Sequence, residues 1–260
     1  MIPLKTKEQI AIMHEANQIV HHALDLVATH LDHGGSTKVL NEIAEKITDT
    51  HKAVPAFKGY LGFPASLCVS VNEEVVHGIP SENRLMHFGD VVSIDYGVIH
   101  KGFFGDAART YIVGEHTGAI YASDMVRKLN ADTKLALKAG LAQAKVGNRL
   151  NDISAAIEAI AQANNYGNIK TFCGHGVGQK LHEEPKVLNY VDQNIINVRL
   201  QEGMVLAIEP MFTLGTSNVK ILSDGWTVVT TDKSIACHWE VSVAITADGP
   251  LILGTSLNKI

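Results

Sequence analysis

The sequence lacks most of what would place it outside the ordinary folded proteins of a reducing, aqueous setting. Cysteine occurs only at Cys68, Cys173 and Cys237. An odd, scattered set with no C-x-x-C spacing argues against a disulfide framework and against a thiolate zinc site, and suits the cytoplasm. No run of about 18 apolar residues occurs, so no membrane span is expected. The opening stretch MIPLKTKEQIAIMHEANQIV has no apolar h-region and no cleavage signal. It also carries no cysteine- and histidine-rich extension. Positive charge is in deficit: 22 Lys and Arg against 27 Asp and Glu leave a net charge of −5. Such a chain is not expected to hold nucleic acid by charge alone. With 22 glycines and 7 prolines in 260 residues, neither disorder nor a fibrous repeat is indicated.

What is present suffices for a full core, since 46% of the residues are hydrophobic and 19% are charged. Thr6 and Gln9 form a T-x-x-Q capping box. Ile10, Met13, Val20, Leu24, Val27 and Leu31 follow at helical spacing, which predicts a long amphipathic helix from 7 to about 31. Val39, Leu40, Ile43 and Ile47 predict a second helix over 36–50. Segments 67–71, 91–99 and 107–113 then read as strands. The second half repeats the order. Helices are expected at 123–145 and 152–164, with Met125, Leu129, Leu135, Ile153, Ile157 and Ile160 as core candidates. Strands are expected at 204–208, 226–231 and 239–246. Two helices and then strands, twice over, indicate an α+β fold of two similar halves. No repeat is visible in the residues themselves, and no linker separates the halves, so one domain over 1–260 is expected.

Four places carry candidate chemistry. In VVSIDYGVIHKGFFGDAARTYIV, Asp95 and Asp106 sit in strand-like sequence on either side of a break near His100–Lys101–Gly102. A hairpin turning about 100 and 101 would set them opposite each other, with Cβ atoms about 4.5–5.5 Å apart. Like charges so placed need compensation, and a divalent cation supplies it most directly; two turn-proximal aspartates facing solvent are the ordinary alternative. In FCGHGVGQKLHEEP, His175 lies between Gly174 and Gly176, and His182 follows. Glycines permit close approach of a ligand, although a hydrogen-bonded loop histidine is the commoner reading of either residue alone. Glu209 in MVLAIEPMF and Glu240 in CHWEVSVAIT each interrupt an apolar run. A lone buried glutamate is more often paired with Lys or Arg; two, neither with a basic neighbour in sequence, favour a shared cation. His77, before Gly78 and Pro80, reads by itself as a turn histidine. Four carboxylates and one imidazole, without thiolate, suit Mn, Fe or Co better than structural Zn, and four negative ligands balance two divalent ions.

Together, SVNEEVVHGIP, SIDYGV, GFFGDAARTY, FCGHGVGQKLHEEP, VLAIEPMF, DGWTV and WEVSVAIT resemble the methionine aminopeptidases, in order and spacing, over nearly the whole chain. The short span from Glu209 to Glu240 resembles the type I branch. The resemblance implies the pita-bread α+β fold, an antiparallel sheet covered by helices in two pseudo-symmetric halves with metals between them. It implies five ligands, Asp95, Asp106, His175, Glu209 and Glu240, with Asp106 and Glu240 bridging two divalent ions (Co, Mn or Fe). His77 and His182 match substrate-contacting histidines, and Glu209 a general base as well as a ligand. Tyr60, Phe63, Cys68, Phe172, Leu181 and Trp226 match the region of the methionine side-chain pocket. Val241–Ser242 stands where His-Thr is common, and Phe104 where a polar residue is frequent; neither removes a ligand.

The implied activity is removal of the initiator methionine from nascent chains with a small second residue, by metal-activated hydroxide attack. The implied setting is a cytoplasmic monomer acting near the ribosome. A proline dipeptidase relative would share the fold but usually carries an extra N-terminal domain. A non-catalytic binding module on the same fold would typically have lost metal ligands.

Overall fold

The computed structural model describes residues 2–260. α1 (Lys7–Ala28) and α2 (Thr37–Thr50) precede β1 (Val54–Pro55), β2 (Leu67–Val71), β3 (Glu74–Val76), β4 (Val91–His100) and β5 (Phe103–Ile112). α3 (Asp124–Gln143) and α4 (Leu150–Ala163) precede the second group. That group is β6 (Gly167–Asn168), β7 (Gly174–Gly176), β8 (Glu183–Val187), β9 (Val205–Ile208), β10 (Met211–Thr213), β11 (Val219–Ile221), β12 (Val228–Thr230), β13 (Ala236–His238), β14 (Glu240–Thr246) and β15 (Gly249–Ile252). The doubled order expected from the sequence is therefore present.

Among the described residues, nine strands make one antiparallel sheet, in the order β1-β4-β5-β14-β9-β7-β8, with β2 on β4 and β15 on β14. The seam between the halves is the pairing of β5 with β14. Each helix pair covers its own half. Val20, Leu24 and Leu40 from α1 and α2 pack on Leu67, Ile94 and Val98. Leu129, Leu137, Ile153 and Ile157 from α3 and α4 pack on Leu206, Val241 and Val243. Burying each such side chain contributes about 1.5–3 kcal/mol. No helix among the described residues is long and apolar enough to cross a membrane.

α1 starts where the capping box puts it. The Gln9 N–H donates to Thr6 Oγ1 and the Thr6 N–H donates to Gln9 Oε1. The helix stops at Ala28, so Leu31 lies beyond it, although still buried. Two core expectations fail for one reason. On α3, Val126, Leu129, Thr133, Leu137 and Gly140 set the buried face at spacings of three and four, and Met125 and Leu135 fall off it, exposed. Val39 is likewise exposed beside buried Leu40.

The β4–β5 hairpin turns one residue later than expected. Lys101 and Gly102 both have positive φ (49° and 80°), the conformation of a two-residue primed turn. Asp95 therefore faces Ala108, and Asp106 faces Gly97. The two aspartates are diagonal neighbours, not directly opposed. They still share a face, because side chains alternate with period two and the partner has shifted by two.

Candidate metal centre

The sheet lays the acidic residues out in adjacent rows. Ala108 on β5 pairs with Asp95 on one side and with Glu240 on the other. Ala207 on β9 pairs with Ser242 of β14 and with His175 of β7. The small Ala side chains leave room above the sheet for the longer acidic ones. Asp106 stands two residues from Ala108 on the same strand and face. Glu209 directly follows β9. The strand bearing Asp106 is held from behind by α1: its N–H donates to Asn17 Oδ1 at 3.2 Å, and Asn17 Nδ2 donates to the Met13 carbonyl at 2.9 Å. Gly105 permits that approach, since a Cβ there would lie 2.7 Å from the Ala16 carbonyl carbon.

The side chains converge. His175 Nε2 lies 3.8 Å from Asp106 Oδ2 and 3.7 Å from Glu209 Oε1. His175 Nδ1–H donates to the Gly176 carbonyl at 2.9 Å, which leaves the Nε2 lone pair free for a ligand. Asp95 Oδ1, Asp106 Oδ1 and Glu240 Oε1 are buried without a hydrogen-bond partner. Among the described residues no Lys or Arg pairs with any of the four carboxylates. Burial raises the pKa of all four, and for Asp106 and Glu240 the neighbouring carboxylates push it further. Buried carboxylate oxygens without donors, beside an imidazole with a free lone pair, are the donor set a divalent cation requires.

A cavity of about 250 Å³ opens beside this cluster. Its walls bring together His77, His182 and all five expected ligands with Tyr60, Phe63, Cys68, Phe172, Leu181 and Trp226. The Phe63 and Trp226 rings meet edge to face, with centroids 5.1 Å apart. His77 sits at φ 60°, rare for a residue with a Cβ, and its ring stands edge-on to Phe172. Desolvation pushes His77 and His175 down to about 4, so both are neutral at pH 7. His182 is exposed, and its Nδ1 lies 2.8 Å from the Tyr60 hydroxyl.

Phe57, Leu61, Val76 and Cys173 also line the cavity, beyond what the sequence reading named. His238, likewise unnamed, places Nε2 3.5 Å from Glu209 Oε2. The unusual residues have local roles. The Ser242 hydroxyl, fully buried, donates to the Asp106 carbonyl at 3.0 Å and ties β14 to β5 beside the site. Val241 is core, and Phe104 packs along the edge of two apolar clusters.

The chain as a whole is similar to known proteins. The family model of metallopeptidase family M24 matches residues 11–247. The methionine aminopeptidase of Clostridium acetobutylicum is 44% identical over 253 residues, 97% of this chain and 98% of its own. The solved structure of methionine aminopeptidase from Thermotoga maritima superposes with a TM-score of 0.93 at 38% identity, over 98% of this chain and 100% of that one. The prolidase of Pyrococcus furiosus superposes with a TM-score of 0.77 at 24% identity over 65% of its chain, a likeness of fold alone.

Proposed function

The chain belongs to metallopeptidase family M24, and we propose that it removes the initiator methionine from new proteins whose second residue is small. The observation that carries this reading is the junction of two environments in one cavity: unpartnered buried carboxylates on one wall, apolar rings and Cys68 on the other. The first suits cations, and the second suits an unbranched thioether side chain.

Asp95, Asp106, His175, Glu209 and Glu240 would hold two divalent ions, Co, Mn or Fe. When bound, the ions would make a water nucleophilic near neutral pH and polarise the scissile carbonyl. The chain's own residues do the rest. Phe63, Cys68, Phe172, Leu181 and Trp226 take the methionine side chain and exclude water from it. Tyr60 donates its hydroxyl proton to His182 Nδ1, which leaves His182 Nε2–H to donate to the developing oxyanion. His77, neutral and pinned by Phe172, donates to the scissile amide. Glu209 accepts the proton that the attacking water gives up.

This work is assigned to one catalytic domain over 1–260, a monomer in the cytoplasm that meets chains as they leave the ribosome. A peptide series tests the reading. Met-Ala, Met-Gly and Met-Ser peptides should be cleaved after Met, with Leu-Ala and Lys-Ala far slower. Equal rates with Leu or Lys first would remove the pocket assignment. Preferential cleavage of X-Pro dipeptides would favour the proline dipeptidase reading, and tight metal binding without turnover would favour a binding module.

A further inference from the structure

The expected ligand set contains one imidazole, yet two imidazoles flank the carboxylate cluster. His238 ends β13, is 1% exposed, and its Nε2 has no hydrogen-bond partner. That atom lies 3.5 Å from Glu209 Oε2, while His175 Nε2 lies 3.7 Å from Glu209 Oε1. The two oxygens of a single carboxylate thus each face a different imidazole. Ligand atoms gather in two groups, each within 4.8 Å: Asp106, His175 and Glu240, and Glu209, His238 and Glu240. The groups share Glu240.

The His238–Glu209 spacing is too long for an N–H···O bond, which clusters near about 2.9 Å. It is the spacing of two donors on one ion, since metal–nitrogen and metal–oxygen bonds of about 2.1 Å at an open angle put the donors roughly 3–3.5 Å apart. The backbone holds the ring in place from both sides. The His238 N–H donates to Thr110 Oγ1 at 2.9 Å, and the Thr110 hydroxyl donates to the His238 carbonyl at 2.7 Å. The Ser93 hydroxyl donates in turn to Thr110 Oγ1 at 2.8 Å, and Met211 of β10 pairs with His238 across the ribbon.

We infer that His238 is a metal ligand, so that each ion of the pair is held by an imidazole of its own and by the shared Glu240. The inference rests on the two-metal reading above. Its consequence is a centre richer in nitrogen than five ligands with one histidine would give. Imidazole raises affinity for Fe and Co relative to Mn.

The test is proton NMR of the full chain, stripped of metal and reloaded with Co(II) to two ions per chain by metal analysis. A histidine bound through Nε2 keeps an Nδ1–H, which appears as a strongly shifted signal that vanishes in D₂O. Wild type should show two such signals and His238→Gln one. Cobalt affinity at the weaker site should fall in His238→Gln by at least the roughly 100-fold that loss of even an outer partner can cost. A single signal from wild type holding two ions overturns the inference and leaves the two-metal reading standing. So do two signals that persist in His238→Gln. If that variant does not fold, the wild-type count decides alone. Failure to bind cobalt at all would sink both readings together.

Discussion

His182 is the residue whose role is most exposed to a single substitution. Its ring meets that of His175 edge to face, with centroids 4.3 Å apart, and it faces the cavity without being part of the carboxylate cluster. His182→Ala should therefore lower kcat by about 10²–10³ while metal content stays as in wild type. Tyr60→Phe removes the hydroxyl that lies 2.8 Å from His182 Nδ1. It should cost less, roughly 5-fold, in line with about 1 kcal/mol for one hydrogen bond. Steady-state kinetics with metal analysis checks both, and loss of the ions in His182→Ala would make that histidine a ligand instead. The acidic members of the candidate site were legible in the sequence to the extent that they were costly. Asp95, Asp106, Glu209 and Glu240 each break an apolar strand, and a buried charge announces a need for compensation. His238 carried no such mark beside Trp239. A parity signal was available: His238 and Glu240 stand two apart and share a side, while Trp239 turns away to donate to Asn130 at 2.7 Å. Phe57, Leu61, Val76 and Cys173 had no local pattern to separate a cavity wall from ordinary core or loop.

At the level of elements, the contact between α1 and β5 sets the position of Asp106. Gly105→Ala would place a methyl group 2.7 Å from the Ala16 backbone, and neither main chain can yield without moving the helix or the strand. The variant should lose about 1–3 kcal/mol of stability, as overpacking does. It should also bind metal more weakly, because Asp106 travels with the strand. Denaturant melts and metal titration of the folded fraction test this; unchanged metal affinity would mean that α1 does not position the site. Helix and strand identities were readable because their apolar periods differ, 3.6 against 2. The hairpin register was not, because Lys101 is an ordinary residue that takes a positive φ only in this turn. The face shared by Asp95 and Asp106 survived the error, since alternation along a strand is insensitive to a shift of two. The misplaced core residues Met125 and Leu135 show the converse: an apolar residue on a helix predicts burial only when its phase agrees with its neighbours.

For the whole molecule, the site couples stability to pH and to metal. Burial raises the pKa of the four carboxylates, so each binds protons more readily folded than unfolded. Their contribution to stability therefore falls as pH rises through the raised values. Burial likewise holds down His21, His77, His175, His182 and His238, and these oppose the trend until pH clears the unfolded histidine value of about 6.5. About one pH unit above it they are neutral in both states. The metal-free protein should accordingly lose melting temperature from about pH 7.5 to about pH 8.5, and saturating metal should remove that slope, since ions take the place of protons. A metal-free melting temperature that stays level or rises over this window would mean that the carboxylates are not buried together.

On the proposed function, one cluster of buried acids both requires cations and uses them for peptide cleavage. This is tested most directly by following melting and Met-Ala-Ser turnover on the same sample, first with chelator and then with added Co or Mn. Ions at 100-fold over Kd stabilise the fold by about 2.7 kcal/mol. For a chain of this size that corresponds to roughly 5–10 °C. Chelation should lower the melting temperature by that amount and abolish turnover, and the added ion should restore both together. A melting temperature and a turnover rate that chelator leaves unchanged would contradict it.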